Sequence, residues 1–489
     1  MAINQSSGAG ALFELIARGI KDKFFMKDDK SSHFPYDARY ESSTHHLAER
    51  RIEIPITQTQ FGASFIVNVP KYADIMTECA FEIDLPSWFP PLTIGEQPIS
   101  PETVNGLYPI TSTTGLSFGY VNCVAYFLFE KIQFYQDQFL IQEWSGDGLL
   151  ARDMSNGSWN SSFLHQTNGG LTDESVRSLQ LRATPGHLRI TLPLPGMQCP
   201  EDGGFPLTAL HWQTFHFKVT LRKLEDLVVC SDKTVYKPAP WNIPLFTYTA
   251  NQIYTFAPKS FVEIGHPTIT LSTIQHYVPP DIQDELRSTT IQIPFRKWFE
   301  NHFTFNELDY ISLDTGGSAA VTRRLDGRHP TERIFWFFRN QTQLDQNRLD
   351  SFYNDYFDSH PITPNQPYTT PYGEYYYRLK LMIAGKEREN IHEPFLWNHI
   401  VQSAKNEKAN GKQIGNMVWS NGHTFGTIFP APRQPEGTVN LSTADRPTLY
   451  IELANITSAA QRKSEMRLYT EGWNVYEIKD GRGRMLFSS

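Results

Sequence analysis

The chain is 489 residues long and carries 44 Lys and Arg against 52 Asp and Glu, a formal net charge of −8. That mild acidity argues against a general nucleic-acid binder, which would present a basic face. Aromatic residues make up 13% of the chain and charged residues only 20%, a balance that points to β-sheet with many turns and excludes a coiled coil or a disordered chain.

In chain order, the first expected element is a short helix over residues 11–17, where Leu12, Phe13, Leu15 and Ile16 form one apolar face and Gly19 is the stop. Glu14 and Arg18 interrupt it as a signal peptide. No stretch reaches the ~20 apolar residues of a membrane span. The expectation is a chain made in the cytosol and not secreted by the ordinary route.

From residue 50 onward the pattern has period two, the mark of strands with one face in a core and one face wetter. Residues 75–85 set apolar odd positions against Glu78, Glu82 and Asp84. Leu188, Ile190, Leu192 and Leu194 alternate with Arg189, Thr191 and Pro193. Phe215, Phe217, Val219 and Leu221 alternate with His216, Lys218, Thr220 and Arg222. Similar alternation covers residues 375–383 and 449–453. The apolar run Cys123–Phe129 extends an expected aromatic strand over residues 120–129. Helical periodicity is scarce beyond the N-terminus, so antiparallel sandwiches are expected. Long polar stretches at 86–119, 153–186, 313–328, 340–373 and 404–423 read as elaborate loops projected from the sandwich ends. A Pro-rich stretch at 230–258 reads as the linker between two halves that share no obvious sequence repeat.

Motifs for chemistry fail on context. Gly115-Leu-Ser-Phe-Gly119 matches the nucleophile elbow, but no helix is expected after Ser117, which reads as a turn residue. Gly481-Arg-Gly-Arg484 reads as a hairpin turn rather than a phosphate loop. His45-His46 has no neighbouring ligands at metal spacing. Cys79, Cys123, Cys199 and Cys230 show no CxxC pairing and read as reduced, buried side chains. No catalytic, cofactor-binding or metal-ligating residue is expected. Glycosylation acceptor triplets stand at Asn4, Asn156, Asn160, Asn340, Asn440 and Asn455; Asn156, Asn160 and Asn340 are the candidate glycan sites.

The order of the strand motifs carries a resemblance. Residues 11–22 followed by Phe24-Phe25, then Pro70-Lys-Tyr-Ala-Asp-Ile75 running to Ile83-Asp-Leu-Pro86, resemble the opening of the major capsid proteins of nucleocytoplasmic large DNA viruses. Tyr120–Tyr126 and Ile132–Ile141 resemble that family's next two strands. Leu192-Pro-Leu-Pro195 through Phe205-Pro-Leu-Thr-Ala-Leu210 resembles its proline-leucine segment. In the second half, Arg328-His-Pro-Thr-Glu-Arg-Ile-Phe-Trp336, the turn at 435–442, and Trp473-Asn-Val-Tyr476 with Asp480-Gly-Arg-Gly483 are similar to family motifs in the same order. The chain departs from them at Ala73, where the family has Gly, at Glu332, where it has Lys, and at Gly196-Met-Gln-Cys199. Asn440, inside the family turn, reads as a turn residue whose amide satisfies backbone.

The resemblance implies an all-β fold of two tandem eight-stranded jelly-roll sandwiches, a double jelly roll, with long loops and a short N-terminal helix. It implies an N-terminal inner-face segment at 1–30, a first jelly roll at 31–235 and a second at 236–489. It further implies a structural, non-enzymatic shell protein of a large icosahedral double-stranded DNA virus. Three chains would form a pseudo-hexagonal capsomer that tiles the shell. Its partners would be other copies of itself, minor capsid and penton proteins, and an inner viral membrane met by the N-terminal segment, with no direct nucleic-acid contact and no cofactor. The chain would reside in the virion capsid, made and assembled in the host cytoplasm. Rival readings are a receptor- or carbohydrate-binding sandwich, expected to line up sugar-stacking aromatics on one face, and an esterase acting through Ser117.

Overall fold

A computed structural model describes residues 48–487, apart from 91, 95–96, 100–109, 156–165, 168–175, 199–202, 250–252, 315–316, 353–374, 401–413, 420–436, 445, 455 and 457–458. The helix expected at 11–17 and His45-His46 lie outside these residues. Residues 47–489 form one compact unit.

The first sandwich contains strands β1 (Ala48–Ile56), β2 (Ser64–Asn68), β3 (Ile75–Asp84), β4 (Phe129–Gln136) and β5 (Phe139–Trp144), then helices α1 (Gly146–Ser155) and α2 (Val176–Arg182). Strands β6 (His187–Thr191), β7 (Phe215–Leu221) and β8 (Thr268–Tyr277) complete it. One sheet runs β1-β8-β3-β6 and the facing sheet β2-β7-β4-β5. Every pairing is antiparallel, with Leu271 opposite Phe81 in the first sheet and Phe217 opposite Phe134 in the second. Phe81 bridges the two layers, its ring 5.3 Å from Phe129 and 5.7 Å from Phe217. The alternation read from the sequence therefore places its apolar side chains between the sheets.

After helix α3 (Pro280–Ser288) the pattern repeats. The strands are β9 (Ile291–Phe305), β10 (Ala320–Arg324), β11 (Pro330–Asn340), β12 (Tyr376–Ile383), β13 (Lys386–His392), β14 (Gly415–Val418), β15 (Thr448–Leu453) and β16 (Ser464–Lys479). A short helix, α4 (Gln341–Asp345), follows β11, and β17 (Arg482–Met485) follows β16. The sheets run β9-β16-β11-β14 and β10-β15-β12-β13. Subtracting eight from each label reproduces the first sandwich. The halves that share no visible sequence repeat share one topology, the double jelly roll.

Three differences from the sequence reading have physical reasons. Strand β8 pairs with both β1 and β3, so the first sandwich runs to Tyr277, past the division at 235/236. The Pro-rich stretch at 230–258 belongs to the connection between β7 and β8. The expected strand at 120–129 is broken. Cys123 takes a left-handed φ of 55°, Val124–Phe127 form a helical turn, and β4 starts only at Phe129. A short, wholly apolar run fits either a buried strand or a buried helix. Finally, β11 and β16 are buried on both faces, because their sheet packs on its own sandwich on one side and on the first sandwich on the other.

Candidate functional site: the buried ion network joining the two sandwiches

On the inner face of the second sandwich, Ile334, Trp336, Phe338, Met466 and Leu468 meet Leu379, Leu381, Leu449 and Ile451 in a core of their own. The opposite face belongs to the first sandwich. Phe335, Phe337, Tyr469, Trp298 and Tyr476 join the core that holds Phe81, Phe134 and Leu149. Helix α1 is the wedge between them; every one of its residues except Asp153 is buried. Gly148 makes this possible, since a Cβ there would lie 2.6 Å from Tyr469 Cε1. The Ser145 and Tyr469 hydroxyls meet at 3.0 Å.

Charged side chains occupy the odd positions of β11 and β16 on this face, among the aromatics. Arg339 donates from Nη1 to Asp147 of α1 at 2.8 Å and from Nη2 to Glu465 at 2.7 Å. Arg222, just past β7, pairs with the other oxygen of Asp147. Arg467 lies 2.9 Å from Glu300 and 3.6 Å from Asp147. His302 reaches the free oxygen of Glu465 at 2.8 Å. A second group sits further along the same strands. Arg333 donates to Glu471 at 3.2 Å and to Ser155, at the end of α1, at 3.1 Å. Trp298 Nε1 donates to the other Glu471 oxygen at 3.0 Å. Glu332, at the position where the resembled family has Lys, is buried and accepts from Arg296 Nε at 3.1 Å, and Arg296 stacks 4.1 Å from the Trp473 ring centroid.

The electrostatics follow from this arrangement. Burial opposes ionisation of Asp147, but Arg222, Arg339 and Arg467 outweigh it and hold the carboxyl well below the ordinary carboxylate range. Burial likewise opposes ionisation of Glu465, but Arg339, His302 and Arg467 bring it down to about 2. Glu471 is buried too, yet Arg333, Arg152 and Arg296 lower it. Glu332 goes the other way: burial dominates, Arg296 opposes it, and the nearby Glu471 adds repulsion. Paired charges of this kind supply directional contacts between the sandwiches; breaking one pair leaves its partner stranded in a dry interface.

Neutral contacts close the same seam. Tyr476 of β16 donates to Gln136 of β4 at 2.5 Å, and Gln136 donates to the Gly483 carbonyl at 2.7 Å. Asn347, just past α4, donates to the carbonyls of Glu225 and Val228 at 2.6 and 2.8 Å.

The sequence motifs find their places elsewhere. Ser117 is buried before a short strand, and its hydroxyl donates to the Ile110 carbonyl at 3.4 Å. Gly481 sits in the β16–β17 hairpin turn, with Lys479 opposite Arg482. Asn440 accepts from Ser442 N at 3.0 Å, as a turn residue does. Asn340 is fully buried, and its side chain accepts from Gln343 N at 2.8 Å as the cap of α4, which removes it from the candidate glycan sites. Asn156 and Asn160 lie outside the described residues, as does Cys199. Cys79, Cys123 and Cys230 are buried. The network residues were missed in the sequence. Their signal was present: Arg333, Arg339, Glu465, Arg467 and Glu471 are same-face charges inside otherwise apolar strands.

No family model matches the chain. Over 110 residues it is 27% identical to the major capsid protein of Phaeocystis pouchetii virus, 22% of this chain and 20% of that protein. Over 62 residues it is 35% identical to the major capsid protein of Chrysochromulina ericina virus, 13% of this chain and 11% of that protein. The matched stretches thus span a fifth or less of these curated relatives. Among solved structures, the PBCV-1 virus capsid protein superposes with a TM-score of 0.62 at 15% identity, over 93% of this chain and 100% of that one. The Faustovirus major capsid protein superposes with a TM-score of 0.56 at 11% identity, over 92% of this chain and 94% of that one. The chain has the double jelly-roll fold of these giant-virus capsid proteins and resembles the major capsid proteins of large DNA viruses in sequence.

Proposed function

We propose that this chain is the structural major capsid protein of a large icosahedral DNA virus and that it builds the shell as homotrimeric, pseudo-hexagonal capsomers. The observation that carries this reading is the repetition of one jelly-roll topology in two sandwiches locked face to face by a buried ion network. Two similar blocks held rigidly side by side are what a threefold assembly needs to present six similar corners. The capsid-protein relatives support the same reading.

On this reading the role is structural rather than catalytic. The surface also suits self-association. Val262 is 89% exposed beside the half-exposed Phe261, whose ring packs on Trp241 at 5.2 Å. Phe139 and Trp212 stand out on the first sandwich, 73% and 69% exposed. Exposed aromatic and aliphatic groups of this kind are what subunit interfaces cover. Helix α3 marks the division between the two domains. The segment at 1–30 faces the shell interior, toward minor capsid proteins or an inner membrane, with penton proteins at the vertices and no direct hold on the genome. Assembly takes place in the host cytoplasm.

Electron microscopy of the purified, assembled protein tests the reading. Particles with a pseudo-hexagonal outline and a central threefold are expected. Single bilobed particles at every concentration would contradict it.

A further inference from the structure

Strand β9 is the edge of its sheet and β5 the edge of the first sandwich. Between them lies an open cleft of about 820 Å³, closed at one end by the loops around Arg328 and Ser442. The cleft contains an unbalanced cationic corner. Lys297 of β9 is 7% exposed. Its ammonium has one hydrogen-bond partner among the described residues, the Met485 thioether at 3.6 Å, and a face contact with Phe299 at 5.8 Å. Neither is an anion.

The neighbours make the imbalance worse. Arg328, which lines the same cleft, and Arg324 are exposed and form no ion pair among the described residues. Burial, then the Arg328 charge, brings Lys297 down to about 8. Burial, then Lys297 and Arg328, pushes the buried His329 down to about 4. The cleft carboxylates do not compensate: Glu143 is taken by Lys131 and Glu300 by Arg467, while Asp326 is exposed and forms no ion pair with Lys297. A buried ammonium without a counter-charge is costly, and a cation pair at the wall of an open cleft offers the N–H donors that the oxygens of an oxyanion accept from.

We propose that this corner is a binding site for a doubly charged oxyanion of the phosphate or sulfate class, held by Lys297 Nζ and the Arg328 guanidinium. The anion neutralises both cations and braces the β9 edge against the loop that carries Arg328. This goes beyond the shell role and stands whether or not the chain forms capsomers.

The test is thermal unfolding of the full chain in millimolar inorganic phosphate against chloride at matched ionic strength. Phosphate should raise the midpoint by about 2 °C. Lys297→Met, which suits the Phe299 and Met485 surroundings, should abolish the phosphate effect while melting no lower than the parent in chloride. Arg328→Gln, at an exposed position, should weaken it. Equal midpoints in phosphate and chloride, or a phosphate effect that survives both substitutions, would overturn the proposal.

Discussion

Arg339 of β11 and Asp147 of α1, 192 positions apart in the chain, share a 2.8 Å hydrogen-bonded ion pair with no exposed side-chain surface on either partner. Asp147 belongs to the first sandwich and Arg339 to the second. Their pairing makes the rigidity of the double block depend on a few buried charges.

Removing one partner should therefore be severe. Arg339→Met takes away the fully buried cation that joins Asp147 to Glu465, leaving Asp147 to Arg222 and Arg467 and Glu465 to His302 and Arg467, and should cost about 3 kcal/mol in denaturant unfolding. In the second group, Arg333→Met should cost a similar amount, whereas Arg333→Met combined with Glu471→Met should cost less than the sum of the two single changes. Strict additivity would show that the charges do not act as pairs.

Acid should loosen the same seam. Asp147, Glu465 and Glu471 have folded-state pKa values below their ordinary ones. Their stabilisation is complete above about pH 4.5 and is lost as pH falls toward the folded value, about 2 for Glu465. Glu332 has the opposite sign, its folded pKa being raised, so it takes up a proton first and its contribution favours the mildly acidic side. Three lowered groups against one raised group predict stability falling between about pH 4.5 and 2. A flat stability profile across that range would contradict the network's role.

The wedge helix should tolerate no added bulk. A Cβ on Gly146 would run into the Tyr126 and Phe129 carbonyls, and one on Gly148 into the buried Tyr469 ring. Gly148→Ala should cost about 1–3 kcal/mol and Gly146→Ala more, since backbone cannot step aside as a side chain can. Melting temperatures of the two variants check the order.

Asn340 should carry no glycan. Its side chain is fully buried, with Oδ1 capping α4, so peptide mass analysis should find it unmodified. Asn340→Ala should lower stability by about 1 kcal/mol, as loss of a helix cap does.

The strands were legible because alternation survives wherever one face is wet. The expected strand at 215–221 coincides with β7, and that at 75–85 ends within one residue of β3. Legibility failed where that contrast disappears. At 123–129 every side chain is apolar, so the helical turn at Val124 could not be told from strand. Near 235 the prolines signalled a break in the chain, but β8 returns afterwards to pair between β1 and β3, a long-range pairing that local composition does not encode. The ion network shows the same limit. Arg333 and Glu471 are ordinary strand charges until the topology sets them opposite each other. The family resemblance conveyed the fold, but not which face of β11 meets the first sandwich.

The account rests on three copies of this chain forming one block, and the native mass of the purified protein tests that most directly. A stable species of three chains of 56.1 kDa each, holding its mass on dilution, is the predicted result. A monomer at every concentration would contradict the capsomer reading.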